Sequence, residues 1–277
     1  MGAAAAMIAV GLFSGVLSGA FGIGGGLVTT PAIRLLLGYP ALIAVGTPLP
    51  VILPGAVTGA AAYWRRGSAD VRAGVLMGLV GSAGSVAGAL LSQRAGGTVV
   101  LLATAAVIAW ASADMLLQHR RATAAEAVTA AVSGEGESDE GVAPVEGPSG
   151  ATRHRLVWLA IIGIVAGAYS GFLGLGGGFV IVPGLTRYLG MPVKRAIGTS
   201  LVTVAVLAIP GTIAHSLLGH VDWSLAVLLA IGVVPGAMLG ARLTARASDR
   251  VVRLSFAALL AVVGVWLAVS EIAGLHP

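Results

Sequence analysis

Apolar residues run through this chain in blocks of about 18 residues or more, each long enough to cross a bilayer as a helix. Uninterrupted blocks cover about Ala41–Trp64, Val71–Leu91 and Thr98–Leu117. The same plan returns at about Arg195–Leu217, Trp223–Ala245 and Val251–Ile272. Each set of three is preceded by an apolar segment that glycines interrupt. The first is about Ala3–Leu37, broken at Gly22–Gly26, and the second is about Leu156–Leu189. Glycine weakens a helix by roughly 1 kcal/mol per residue, so a helix does not easily continue through such a run. Between the sets, Gln118–Arg155 is polar and holds Glu126, Glu135, Glu137, Asp139, Glu140 and Glu146 among Gly, Ser, Pro and Ala. That composition predicts a solvated, flexible linker.

The two sets are copies of one unit. Ser18-Gly19-Ala20-Phe21-Gly22-Ile23-Gly24-Gly25-Gly26, with Pro31 five residues on, returns 152 residues later as Ser170-Gly171-Phe172-Leu173-Gly174-Leu175-Gly176-Gly177-Gly178, with Pro183 at the same distance. Carried along without gaps, the offset matches Gly38 to Gly190, Gly46-Thr47 to Gly198-Thr199, Asp70 to Asp222 and Gly88 to Gly240. About 29 of the 81 positions from Gly15 to Ala95 equal their partners, well above what shared composition gives.

Composition places the duplicated unit in a membrane. The 277 residues are 57% hydrophobic and 10% charged. The mean hydropathy of +0.98 does not suit a water-exposed surface. The 42 glycines suit packed transmembrane helices, where small residues let backbones approach. Met1–Val10 has no basic stretch ahead of its apolar run, so no cleaved signal peptide is expected. Cysteine is absent, which removes disulfides and thiolate metal sites. The pI near 10.4 raises nucleic acid as a partner. The positive-inside rule accounts for it better, and no nucleic-acid partner is expected.

Charge then decides between two topologies. If each broken segment crosses once, Arg65, Arg66 and Arg72 lie opposite Arg187, Lys194, Arg195, Arg242, Arg246, Arg250 and Arg253. If each enters, turns at its glycines and returns, each copy crosses three times and the copies are inverted. Arg120, Arg121, Arg153 and Arg155 then join those ten on one side, and only Arg34 and Arg94 lie on the other. The expected fold is therefore all-α: a polytopic membrane protein of two inverted homologous repeats, each with a Gly-broken re-entrant helical hairpin plus three transmembrane helices. The repeats are residues 1–117 and 156–277, and residues 118–155 form an acidic cytoplasmic linker. Both termini fall outside, and cysteines at Ser92 and Ser138 would report opposite sides.

The paired phrases, each a Ser-Gly ahead of a Gly-x-Gly-Gly-Gly run with a proline five residues on, resemble the two signature segments of the sulfite exporter TauE/SafE family. The likeness covers essentially the whole chain. It implies a multi-pass protein of the bacterial cytoplasmic membrane that exports small sulfur-containing anions such as sulfite, sulfonates or sulfoacetate. The acidic linker is not part of the motif.

The residues support an anion site independently. A short apolar helix follows each glycine run, and its first N–H groups lack helical partners and carry the positive end of the dipole. Two such ends meeting near the midplane form a cradle for an oxyanion. No basic residue lies in the expected core, so an anionic ligand requires recognition by backbone and hydroxyls. The expected substrate-binding residues are Ser18, Gly22, Gly24, Gly25, Gly26, Thr29 and Thr47 in the first copy. In the second they are Ser170, Gly174, Gly176, Gly177, Gly178, Thr199 and Ser200. Thr30 is a further hydroxyl candidate. For Thr47 and Thr199, helix-end capping competes with ligand contact; for Ser18 and Ser170, packing against a neighbouring helix does. Pro31 and Pro183 fit the first turns of the short helices. His215 and His220 read as interfacial residues, with proton coupling as the lesser reading. Asp114 reads as a snorkelling or paired group, and Trp64, Trp158 and Trp223 as interface anchors.

No enzyme is expected, because no nucleophile with a base and no His/Asp/Glu grouping falls at membrane depth. No Rossmann strand pattern surrounds the glycines, and no cofactor or metal is expected. An anion channel is the competing class. The partners expected are a small anion and the lipid bilayer, and a homodimer is compatible with this reading.

Overall fold

The computed structural model describes residues 2–95 and 150–272, together with 99, 100, 103 and 106. The expected span Thr98–Leu117, Asp114 and most of the linker lie outside the described residues, apart from those four positions and the last residues of the linker. The described residues are helical, joined by turns and short connections. In the first copy, α1 is Gly2–Phe21 and α2 is Gly26–Pro31, extended by a π-helical turn over Ala32–Leu36. Then come α3, Ala41–Gly46, α4, Pro48–Trp64, and α5, Val71–Ala95. The second copy has α6, Gly150–Leu173, α7, Gly178–Leu189, α8, Val193–Leu217, α9, Trp223–Arg246, and α10, Asp249–Ile272. Helix α6 begins at Gly150, inside the stretch expected as linker. Among the described residues six segments are long and apolar enough to span a membrane: Ala4–Phe21, Ala41–Trp64, Val71–Ala95, Arg153–Leu173, Val193–Leu217 and Trp223–Arg246.

Local chemistry sets the helix starts. Asp70 and Asp222, just before α5 and α9, each accept the amide three residues on, from Ala73 and Leu225, at 3.0 Å. Pro48 opens α4, where a missing N–H costs nothing. Pro31 and Pro183 are each the sixth residue of their helix, a turn later than expected.

Packing is organised by glycine. α1 lies on α9 and α6 on α5. A Cβ on Gly11, Gly15 or Gly19 would run into the carbonyls of Leu229, Val233 and Ala237. A Cβ on Gly163, Gly167 or Gly171 would run into those of Met77, Gly81 and Ser85. Each of the second contacts is the first moved by 152 residues with the copies exchanged. The same exchange relates Asp222 N–H to Thr47 Oγ1 (3.0 Å) and Asp70 N–H to Thr199 Oγ1 (2.9 Å). It also relates Tyr63 Oη on the Gly19 carbonyl (3.1 Å) and His215 Nε2 on the Gly171 carbonyl (2.8 Å). All ten positive-φ glycines among the described residues form five such pairs.

Both short helices fold back along the helix before them. Trp158 of α6 stacks on Tyr188 of α7 with ring centroids 4.1 Å apart. Nearer the turn, Gly184 sits against Ile162 and Gly177 against Ala166. In the first copy Ile33 lies in one small apolar cluster with Leu225 and Leu229, against which Met7, Val10 and Leu37 also pack. At one end of the bundle Asp70 pairs with Arg155 (2.8 Å) and Arg195 (3.7 Å), Lys194 pairs with Asp249 (3.3 Å), and Arg66 donates to the Ala241 carbonyl (2.9 Å).

Candidate functional site

The glycine runs form two tight turns. Gly22, Gly24 and Gly25 have φ of 73°, 78° and 87°; Gly174, Gly176 and Gly177 have 67°, 80° and 75°. An L side chain at these angles costs roughly 1–2 kcal/mol, which is why the chain reverses here and nowhere else within the broken segments. Gly26 and Gly178 then start α2 and α7. The first amides to find a helical carbonyl are Val28 and Thr29 on Gly25 O (3.1 and 3.2 Å), and Val180 and Ile181 on Gly177 O (3.0 and 3.2 Å). The amides before them carry the positive ends of the two dipoles.

The two turns meet. A Cβ on Gly26 would lie 2.6 Å from the Gly174 carbonyl oxygen, and one on Gly178 would strike that of Gly22. A Cβ on Gly24 would stand 3.8 Å from the Gly176 Cα. Ile52 and Val204 close over Gly24 and Gly176 from both sides. Each is the twelfth residue of its span, Ala41–Trp64 and Val193–Leu217, so the turns meet halfway along the two most buried helices.

Polar groups around the turns are hydroxyls. Ser14 Oγ donates to Gly25 O (2.7 Å), Thr29 Oγ1 donates to the same oxygen (3.2 Å), and Ser200 Oγ donates to Gly22 O (2.8 Å). Ser18 and Ser170, at equivalent positions, are fully buried and their hydroxyls make no hydrogen bond, and neither does that of Thr30. Among the described residues the buried polar side chains are those of Ser, Thr and His, with the Tyr63 phenol, and none is a carboxylate, Lys or Arg. Those residues contain no cluster of three His, Cys, Asp or Glu able to hold a metal ion.

Thr47 and Thr199 make contacts of another kind. Their hydroxyls accept the Asp222 and Asp70 amides and tie the loops after α8 and α4 to the opposite copy. Thr47→Ala and Thr199→Ala are each expected to lower unfolding stability by about 1 kcal/mol, read from thermal melts in detergent. The residues that sequence reasoning missed are Ser14, Ile52 and Val204. The last two occupy equivalent positions of the repeat, which is the signal that could have found them.

Both histidines are buried in the protein. His215 is fully buried, with Nδ1 3.3 Å from His220 Nδ1 and Nε2 on the Gly171 carbonyl. Desolvation lowers the His220 pKa, so the folded state resists its protonation. The sign follows: above pH about 6.5 there is no penalty, and below it the unfolded chain takes the proton more readily, so stability falls with pH. Melting temperature is expected to drop between pH 7 and pH 5, and His220→Ser, the residue the first copy carries as Ser68, should flatten that dependence.

The sulfite exporter TauE/SafE family matches residues 7–267. The chain belongs to this family. The "probable membrane transporter protein YunE" of Bacillus subtilis (strain 168) is 26% identical over 250 residues, which cover 86% of each chain. A "probable membrane transporter protein" of Xylella fastidiosa (strain 9a5c) is 30% identical over 86% of this chain and 82% of its own. That of Methanocaldococcus jannaschii, MJ0441, is 24% identical over 94% of both. These names specify membrane transport and no substrate. No solved structure matches the chain. The protein is a multi-pass membrane transporter of the TauE/SafE family.

Proposed function

We propose that the chain is a secondary transporter, an exporter or permease, for small sulfur-containing oxyanions such as sulfite and organosulfonates. The anion is held near the midplane by the Gly-rich turns and the N-termini of α2 and α7. One observation carries this reading: two glycine turns face each other with a buried, unpartnered serine hydroxyl, Ser18 and Ser170, at the same place in each. Free donors beside helix N-termini in a region without buried cations suit an oxyanion whose charge is spread over several oxygens. Ile52 and Val204 cover the turns, so a ligand reaches them only after α4 and α8 shift.

The same reading makes the repeats inverted and the hairpins re-entrant. The fold-back of α7 on α6 supports this, as does the meeting of Asp70, Arg155, Arg195, Lys194 and Asp249 at one end, where the charge count puts the cytoplasm. The turns then lie buried in protein, as backbone at membrane depth must. Ser92 is fully buried and unsuited to labelling. Gln93→Cys and Ser248→Cys, both at exposed positions, are expected to react with an impermeant thiol reagent from outside and inside respectively. Reaction of both from the same side would sink the inverted arrangement.

No ATP-binding motif is present in the sequence, so a gradient or a partner drives transport. In proteoliposomes the chain is expected to move sulfite or sulfoacetate and to accumulate it against an opposing anion gradient when a coupling gradient is imposed. Flux that only follows the anion's own gradient would indicate a channel, and flux of a small carboxylate alone would indicate another organic-anion permease.

A further inference from the structure

The duplication supplies an internal control for a second feature, well away from the glycine turns. Between α4 and α9, at the end of the bundle that holds most of the basic residues, a cavity of about 470 Å³ is lined by Arg65, Arg66 and Arg242. Its wall includes Val57, Ala61 and Met238, of which Val57 is 53% and Met238 40% exposed. Arg66 does not float: its Nη1 donates to the Ala241 carbonyl (2.9 Å), which holds the guanidinium across the groove and leaves its other N–H groups for a ligand. The equivalent positions of the other copy, between α8 and α5, carry Leu217, Leu218 and Leu90 in place of the three arginines. Ile209, Ile213 and Val86 stand in place of Val57, Ala61 and Met238.

A general surplus of inner-side charge asks only that basic residues lie on that side. It does not ask three of them to converge on one apolar groove, nor to replace three leucines of the same unit. We propose that this groove binds an anionic phospholipid of the inner leaflet, with the phosphate among Arg65, Arg66 and Arg242 and an acyl chain along Val57, Ala61 and Met238. The chemistry fits on both counts. Guanidinium forks match phosphate oxygens in geometry and charge, and basic pockets between membrane helices on the cytoplasmic side receive such headgroups. The apolar wall continues from the arginines toward the bilayer centre, where a soluble phosphate has nothing to contact. The proposal is independent of which anion is transported.

Native mass spectrometry of the full chain in detergent, titrated with dioleoylphosphatidylglycerol and separately with dioleoylphosphatidylcholine, tests it. Phosphatidylglycerol is expected to bind tightly to wild type and phosphatidylcholine weakly. Each guanidinium near a membrane surface contributes about 1 kcal/mol, so Arg65→Gln/Arg242→Gln should weaken phosphatidylglycerol about 25-fold. Arg65→Lys/Arg242→Lys should keep most of the affinity. Arg250→Gln/Arg253→Gln, which removes equal charge from the same end, should keep all of it. The melting temperature of each variant in phosphatidylcholine alone reports its folding separately. The site is overturned if the Arg65/Arg242 pair binds phosphatidylglycerol like wild type, or if the Arg250/Arg253 pair loses as much. Inorganic phosphate at millimolar concentration that competes off the lipid and melts in parallel with it would reassign the groove to soluble anions and equally overturn the proposal.

Discussion

Replacing Gly178 with Val is expected to reduce transport to background while the protein still inserts and folds. A Cβ at this position would strike the Gly22 carbonyl of the opposite turn, and Gly26→Val would press on the Gly174 carbonyl in the mirror contact, 2.6 Å away. Neither residue has a positive φ, so the harm comes from parting the two turns rather than from strain in the helix start. Forcing a β-branched side chain into such a contact costs about 1–3 kcal/mol, which the packing of the long helices survives. The cradle does not survive it, because its geometry depends on the turns touching. A sulfite efflux assay in proteoliposomes, with expression and melting temperature as controls, reads the effect. Calorimetry on the same variants asks whether the site is shared. Either substitution is expected to abolish binding at one site. A Gly178→Val protein that keeps half of the bound ligand at unchanged affinity would mean two independent sites.

Gly167→Leu is expected to fail in the opposite way, by losing the fold. Gly167 faces the Gly81 backbone on α5, and its equivalent Gly15 faces the Val233 backbone on α9. These pairs carry the two largest helix–helix interfaces of the described residues. In a membrane there is no hydrophobic gain to offset a widened interface, because lipid is as apolar as Leu. Two turns can part locally, but the α5–α6 contact widens only if two whole helices move, so the cost falls at or above the upper end of the usual overpacking range of about 1–3 kcal/mol. Size-exclusion chromatography should show aggregated or absent protein for Gly167→Leu and Gly15→Leu. A folded, wild-type-melting Gly167→Leu protein without transport would show that the α5–α6 contact is functional rather than structural. The two experiments separate glycines that shape the turns from glycines that let helices touch.

Much of this is legible in the sequence alone. Spans show in sequence because a bilayer demands about 20 apolar residues whatever their neighbours, and the ends at Trp64, Leu217, Trp223 and Ile272 coincide with helix ends. The turns show because an unbroken helix does not easily tolerate four glycines in five positions, and their positive φ values fall where the repeat put them. Thr47 and Thr199 show how the reading stops short. A hydroxyl next to a helix start serves a ligand or a loop equally well in sequence, and only the structure shows that each accepts a loop amide, from Asp222 and Asp70. His215 was harder. Its span ends two residues later, which suggests the interface, and the sequence gives no sign that the α6 backbone at Gly171 takes its Nε2.

Sequence by itself determined the things that depend on composition and period: a membrane protein, duplicated at an offset of 152, with a break at the same place in each copy and a lopsided distribution of arginine. Those follow from solvent and from local backbone chemistry, which every short window of the chain carries. Tertiary structure decided what depends on distance between windows. It brought Gly26 to Gly174 and Gly178 to Gly22, laid Ile52 and Val204 over the turns, and left Ser18 and Ser170 buried without partners. It also gathered Arg65, Arg66 and Arg242 from two helices into one groove. No residue's own preferences encode such meetings, because they arise from packing two copies of one unit against each other with the roles of their helices exchanged.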